Sequence, residues 1–95
     1  MRVRFTRRAA RDLAEIGDYI AVEDPDAAAR VRDAIVGAID RVARHPHLGI
    51  KNVRAPDLRS CLAIPFPYRI HYRVRDGSIS IVHVRHTSRR EWNPR

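Results

Sequence analysis

The apolar residues of this chain change their period partway along it, and that change constrains the fold more than any other feature. Up to about residue 44 they recur every three or four positions; from residue 58 they recur every two. Ala9, Leu13, Ile16 and Ile20 form one stripe, and Val31, Ile35, Ile39 and Val42 form a second. Each is one face of an amphipathic helix, because 3.6 residues per turn bring positions three and four apart to the same side. The spacing predicts helices from Arg7 to about Val22 and from Pro25 to about Arg44. Thr6 supplies an N-cap for the first. Asp24-Pro25-Asp26 ends one helix and starts the next: an Asp cap, a Pro whose missing N–H costs nothing at the first helical position, and an acid near the positive end of the dipole. So short a link folds the two helices into an antiparallel hairpin. Gly37, which costs about 1 kcal/mol against Ala inside a helix, is expected to mark a close helix contact. His45-Pro46 ends the second helix, since the residue before Pro is disfavoured in the α region.

The strands follow from the period of two. Arg2 and Arg4 alternate with Val3 and Phe5 in a short first strand. His45 to Pro56, with two Pro and one Gly, has no period and reads as irregular. Leu58, Leu62 and Ile64 alternate with Arg59, Cys61 and Ala63 until Pro65 and Pro67 interrupt. Tyr68, Ile70, Tyr72 and Val74 alternate with Arg69, His71, Arg73 and Arg75; Asp76-Gly77 is a strong hairpin signal, and Ile79 to His86 return. With Asp76-Gly77 as a two-residue turn, Val74 faces Ile79, Tyr72 faces Ile81, and Ile70 faces His83. One sheet face then carries Ile70, Tyr72, Val74, Ile79 and Ile81 against the helices. The other carries Arg69, His71 and Arg73 beside Val82 and Val84. A solvated face needs no valines, so this one is expected to be covered; the alternative is that both valines follow β propensity. The expected fold is a single α+β domain over residues 1–95, ordered β-α-α-β-β-β, with the αα-hairpin on one face of a small, mainly antiparallel sheet.

Charge separates the two halves. The chain has 95 residues and a formal net charge of +8. Residues 1–49 hold nine Arg against eight acids, whereas residues 50–95 hold nine Arg and Lys51 against three acids. The excess belongs to the sheet half, and it points to an anionic partner. The Arg-for-Lys bias by itself is equally an effect of genomic base composition. One cysteine, Cys61, leaves no intramolecular disulfide and suits a reducing compartment. No apolar run approaches the roughly 20 residues of a membrane span, and the basic N-terminus lacks the apolar core of a signal peptide. A soluble, cytoplasmic protein is expected.

The chain holds no Gly-rich phosphate loop, nucleophile elbow or paired-carboxylate motif. His45 and His47 have no third ligand nearby, and His83 and His86 point to opposite faces of a strand, so neither a metal nor a cofactor is expected. RNA cleavage by its own 2′-OH remains chemically open. It needs a base, an acid and cations for the developing phosphorane charge. Arg59, Arg69, Arg73, Arg85 and Arg89 offer cations and His86 offers acid–base capacity, but an Arg has too high a pKa to be an easy base. An arginine-rich face without a certain base suits binding better than catalysis. A plain nucleic-acid-binding module is a further reading; only Phe66, Tyr68, Tyr72 and Trp92 could stack on bases, and no signature motif is present.

Four motifs in order carry a family resemblance. They are Asp24-Pro25-x-Ala27-Ala28, His45-Pro46-x-x-Gly49, Pro67-Tyr68-Arg69-Ile70-x-Tyr72-Arg73-Val74, and Val84-Arg85-His86-Thr87-Ser88-Arg89-Arg90-x-Trp92. Together, from about Val3 to Trp92, the chain resembles the RelE/ParE toxin superfamily. The resemblance implies the layout read above and a bacterial toxin of a type II toxin–antitoxin system. Its partner would be a cognate ParD-like antitoxin with an acidic segment, in a hetero-oligomer. ParE-like members mostly act on DNA gyrase and trap its cleaved DNA complex; RelE-like members cleave mRNA on the ribosome. RelE-like nucleases often carry a functional Tyr near the C-terminus and a Lys-rich loop. Here Trp92 stands nearest that place, no Tyr follows Tyr72, and Lys51 is the one Lys. The Arg-x-x-Trp ending resembles ParE-like chains, so a gyrase-inhibiting toxin without catalytic residues is the leading reading. The alternative is a RelE-like mRNA endonuclease using His86, Arg89 and Arg69. Target binding is expected at Arg85, His86, Arg89, Arg90 and Trp92, and antitoxin binding at Arg69, Arg73, Val82 and Val84 with Ile16 and Ile20 at the edge; the groove of the helix hairpin is the alternative antitoxin surface.

Overall fold

In a computed structural model, which describes residues 1–89 and 92, the order of elements is β1 (Arg2–Phe5), α1 (Arg7–Glu23), α2 (Pro25–Arg44), β2 (Ile50–Lys51), β3 (Leu58–Leu62), β4 (Tyr68–Arg75) and β5 (Ser78–His86). The caps are those the sequence calls for. Thr6 Oγ1 accepts from the Ala9 N–H at 3.1 Å. Asp24 serves both helices: its N–H donates to Ile20 O at 2.9 Å, closing α1, and its carboxylate accepts from the Ala27 N–H at 3.0 Å, opening α2. Gly37 does not mark a close contact. A Cβ there would meet only Arg41 Nη1, at an ordinary 3.8 Å.

The five strands lie in the order β1-β5-β4-β3-β2, with β1 parallel to β5 and the rest antiparallel. Strand β2 is an addition to the expected layout. Two residues are too few to show a period, so the segment read as irregular conceals it. Asp76 and Gly77 both have positive φ, 48° and 74°, which matches the right-handed twist of a tight two-residue hairpin. Val74 pairs with Ile79 and Tyr72 with Ile81, as expected.

Beyond that point the register corrects the sequence reading. His71 pairs with His83 and Ile70 with Val84, so Val82 is an extra residue in a bulge and Ile70 does not face His83. The bulge turns Val84 to the helix side, where it is 2% exposed and part of the core. Val84 is therefore not on the second face, although Val82 and the paired histidines are. In β3, Cys61 sits opposite Ile70 on the helix side, while Leu58, opposite Arg73, is buried on the other.

The core joins Ala9, Val31, Ile35, Ile39 and Val42 of the helices to Ile70, Tyr72, Ile79, Ile81 and Val84 of the sheet. Tyr72 also ties down the connection after α2. Its hydroxyl accepts from the Gly49 N–H at 2.9 Å and donates to Pro46 O at 3.0 Å. A Cβ on Gly49 would collide with that hydroxyl and stand 2.8 Å from Ser60 O, so the close approach needs glycine. This is the physical content of the His-Pro-x-x-Gly spacing. Among the described residues no helix is long and apolar enough to cross a membrane.

Candidate functional site

Strand β1 covers the edge of β5 only as far as Ile81. Past it, the start of α1 takes the place of a strand. Asp12 Oδ2 accepts the Val84 N–H at 3.0 Å, supplying the bond a neighbouring strand would otherwise make. The same oxygen accepts from His83 Nδ1 at 2.7 Å. Arg8, one turn earlier on α1, reaches His83 Nε2 at 3.5 Å. With Arg8 as donor there, the His83 proton belongs on Nδ1.

His83 stacks on His71 of β4, with ring centroids 5.8 Å apart. Trp92 lies across both, its ring 4.7 Å from His71 and 4.9 Å from His83, edge-on to each. The Arg8 guanidinium sits 5.7 Å over the indole. Part of the helix-free face is thus covered by the chain's own Trp92. Burial pushes the His71 imidazole down to about 4, with His83, Arg85 and Arg69 adding to the effect. Among the described residues its Nε2 has no hydrogen-bond partner. Asp12 and His83 look like a carboxylate–imidazole pair, but His83 is 7% exposed under Trp92. The arrangement staples α1 to β5.

The sequence-predicted residues fall around this cluster. Arg85 directs Nη1 to the carbonyls of His86 and Arg89, each at 3.3 Å. His86 accepts the Ser88 N–H at Nδ1, at 3.0 Å, and meets the edge of Tyr68. Arg89 is exposed. With Arg8, Asp12, Tyr19 and Trp92, these three rim an open hollow of about 1030 Å³ between α1 and the end of β5. Arg90 lies outside the described residues. On the helix-free face, Arg69 donates to Ser60 Oγ at 3.0 Å. Arg73 and Arg75 share Asp57, at 3.1 and 2.6 Å, and Arg75 foremost holds that carboxyl below its usual range. Sequence reasoning missed Arg8, Asp12, His71 and His83 as a group; the four-residue spacing of Arg8 and Asp12 on one helix face was the available signal.

A second concavity lies between the helices. Phe5, Leu13, Ile16, Ala28, Val36 and Ile39 line an apolar groove of about 520 Å³. Ile16 borders both concavities. Ile20 packs at the margin of the core.

The model of the family described as ParE toxin of type II toxin–antitoxin system, parDE, matches residues 3–91. Y4kP of Sinorhizobium fredii, provisionally named a toxin, is 45% identical over 85% of this chain and 84% of its own length. Toxin RelE2 of Caulobacter vibrioides is 39% identical over 90% of this chain and 93% of its own. A solved structure described as the chromosomal ParDE TA system from P. aeruginosa shares the fold. Its TM-score is 0.79 at 24% identity, covering 93% of this chain and 97% of that one.

Proposed function

Since the chain belongs to the ParE toxin family of type II toxin–antitoxin systems, we propose that it acts in the bacterial cytoplasm as an inhibitor of DNA gyrase, neutralised by a cognate ParD-like antitoxin. The observation that carries a binding role over a nuclease is how the C-terminal groups are employed. Trp92 packs on two histidines, His86 Nδ1 accepts within its own turn, and Arg85 braces two carbonyls. These contacts build a basic surface. Expression of the chain alone in bacteria tests the reading: the DNA-damage response should precede translation arrest, and the reverse order would count against it.

The antitoxin is assigned to the groove between α1 and α2. Its lining is apolar and open, which suits the apolar face of an amphipathic helix. With Val84 in the core, the sheet face lacks much of the apolar floor that the sequence had suggested. Ile16 remains a contact in this version, and Ile20 stands near it.

The 39% identity to Toxin RelE2 keeps one second reading in play, that of an mRNA endonuclease in the ribosomal A site. It expects cleaved mRNA in a translating extract and loss of cleavage in His86→Ala or Arg89→Ala. Intact transcripts during growth arrest would eliminate it.

A further inference from the structure

The helix-free sheet face carries more cationic positions than the gyrase reading uses. Strand register puts Arg2 in line with Ser78 and Arg75, Arg4 in line with Ser80 and Arg73, and Arg85 beside Arg69. Directly paired residues project from the same side of a sheet. Six arginines therefore share this face, with Asp57 bridging two of them. Arg2 and Arg4 are about 7 Å apart along β1, and about 10 Å, two strand spacings, from Arg75 and Arg73. We propose that this face binds the phosphodiester backbone of duplex DNA directly, without gyrase.

Three observations select that partner. Leu58 and Val82, the apolar side chains nearest Arg2, Arg4, Arg73 and Arg75, are 0% and 9% exposed, so a protein segment seeking apolar pockets meets mainly charge there. Leu62, paired with Arg69 and 37% exposed, and Ile50, paired with Ser60, are the exposed apolar side chains at the β3–β2 end of the face, away from Arg2, Arg4, Arg73 and Arg75. Trp92 already packs on His71 and His83 under Arg8, so single strands lack an open stacking platform. Ser78 lies in register between Arg2 and Arg75, its hydroxyl donating to Arg75 O, and Ser80 lies between Arg4 and Arg73, where a hydroxyl suits a phosphate oxygen. The proposal does not rest on the gyrase reading.

Fluorescence anisotropy of a labelled duplex of arbitrary sequence tests it, using the purified chain alone. Arg73 and Arg75 are partly neutralised by Asp57, which leaves Arg2, Arg4, Arg69 and Arg85 as the main contacts. Four contacts predict that affinity falls about 150-fold between 50 and 200 mM salt. In the double variant Arg2→Ser/Arg4→Ser, at two exposed positions, the fall should be about 12-fold. Arg30→Ser, on exposed α2, should leave it at about 150-fold. Absent binding at 50 mM salt, an unchanged salt dependence in the double variant, or tighter binding to single-stranded RNA or to an acidic peptide would overturn the proposal. Normal gyrase inhibition alongside absent duplex binding would overturn it alone and leave the gyrase reading standing.

Discussion

Replacing Asp12 with Ala should unlatch α1 from the sheet. One carboxylate oxygen accepts both the Val84 N–H and the His83 Nδ1–H. The side chains of Asp12 and His83 are only 16% and 9% exposed, so little solvent screening applies. Leaving the Val84 N–H without a partner costs about 1–3 kcal/mol, and a hydrogen bond to a charged group is worth about 1.5–3 kcal/mol. Both bonds use one oxygen and are not additive, so the expected loss is about 2–4 kcal/mol. For a domain of this size that lowers Tm by about 10–30 °C. Asp12→Asn keeps an acceptor for Val84 and should cost about half as much. Urea unfolding followed by circular dichroism gives both values. Trp92, the one tryptophan in the sequence, reports locally, because its fluorescence should change before global unfolding. A loss below about 0.5 kcal/mol in Asp12→Ala, the range of an ordinary surface substitution, would refute the staple.

Three further outcomes follow. Gly49→Ala should destabilise by about 2–4 kcal/mol in the same assay, through overpacking against Tyr72 and Ser60 and loss of the hydroxyl bonds. His71 should make stability depend on pH: the unfolded imidazole takes up its proton near 6.5 and the folded one only at about 4. That contribution is fully present above pH 6.5 and falls by up to about 3 kcal/mol as pH drops through 4; His71→Gln should flatten that window in unfolding curves collected across it. Ile16→Asp in the helical groove should weaken antitoxin binding at least about tenfold in titration calorimetry, whereas Arg69→Glu with Arg73→Glu should leave it near wild type.

The helices were legible because their stripes, their caps and the shared Asp24 all agree. The hairpin was legible because Asp76-Gly77 admits few other conformations. The bulge was not. Ile81-Val82-His83-Val84 is apolar in both parities, so alternation gives no sign that one residue is extra. The resulting slip moved Val84 into the core and brought His83 beside His71. The staple was hidden for a different reason: Asp12 and His83 are 71 residues apart and meet only because β1 stops short of the end of β5. The basic half was plain from charge, but which arginines share a face depended on the pairing of β1 with β5.

Gyrase supercoiling with the purified toxin tests the central claim most directly. At saturating toxin the account predicts that relaxed plasmid stays relaxed or accumulates as cleaved complex, and that pre-incubation with the antitoxin restores supercoiling. Supercoiling at the normal rate under saturating toxin would contradict it.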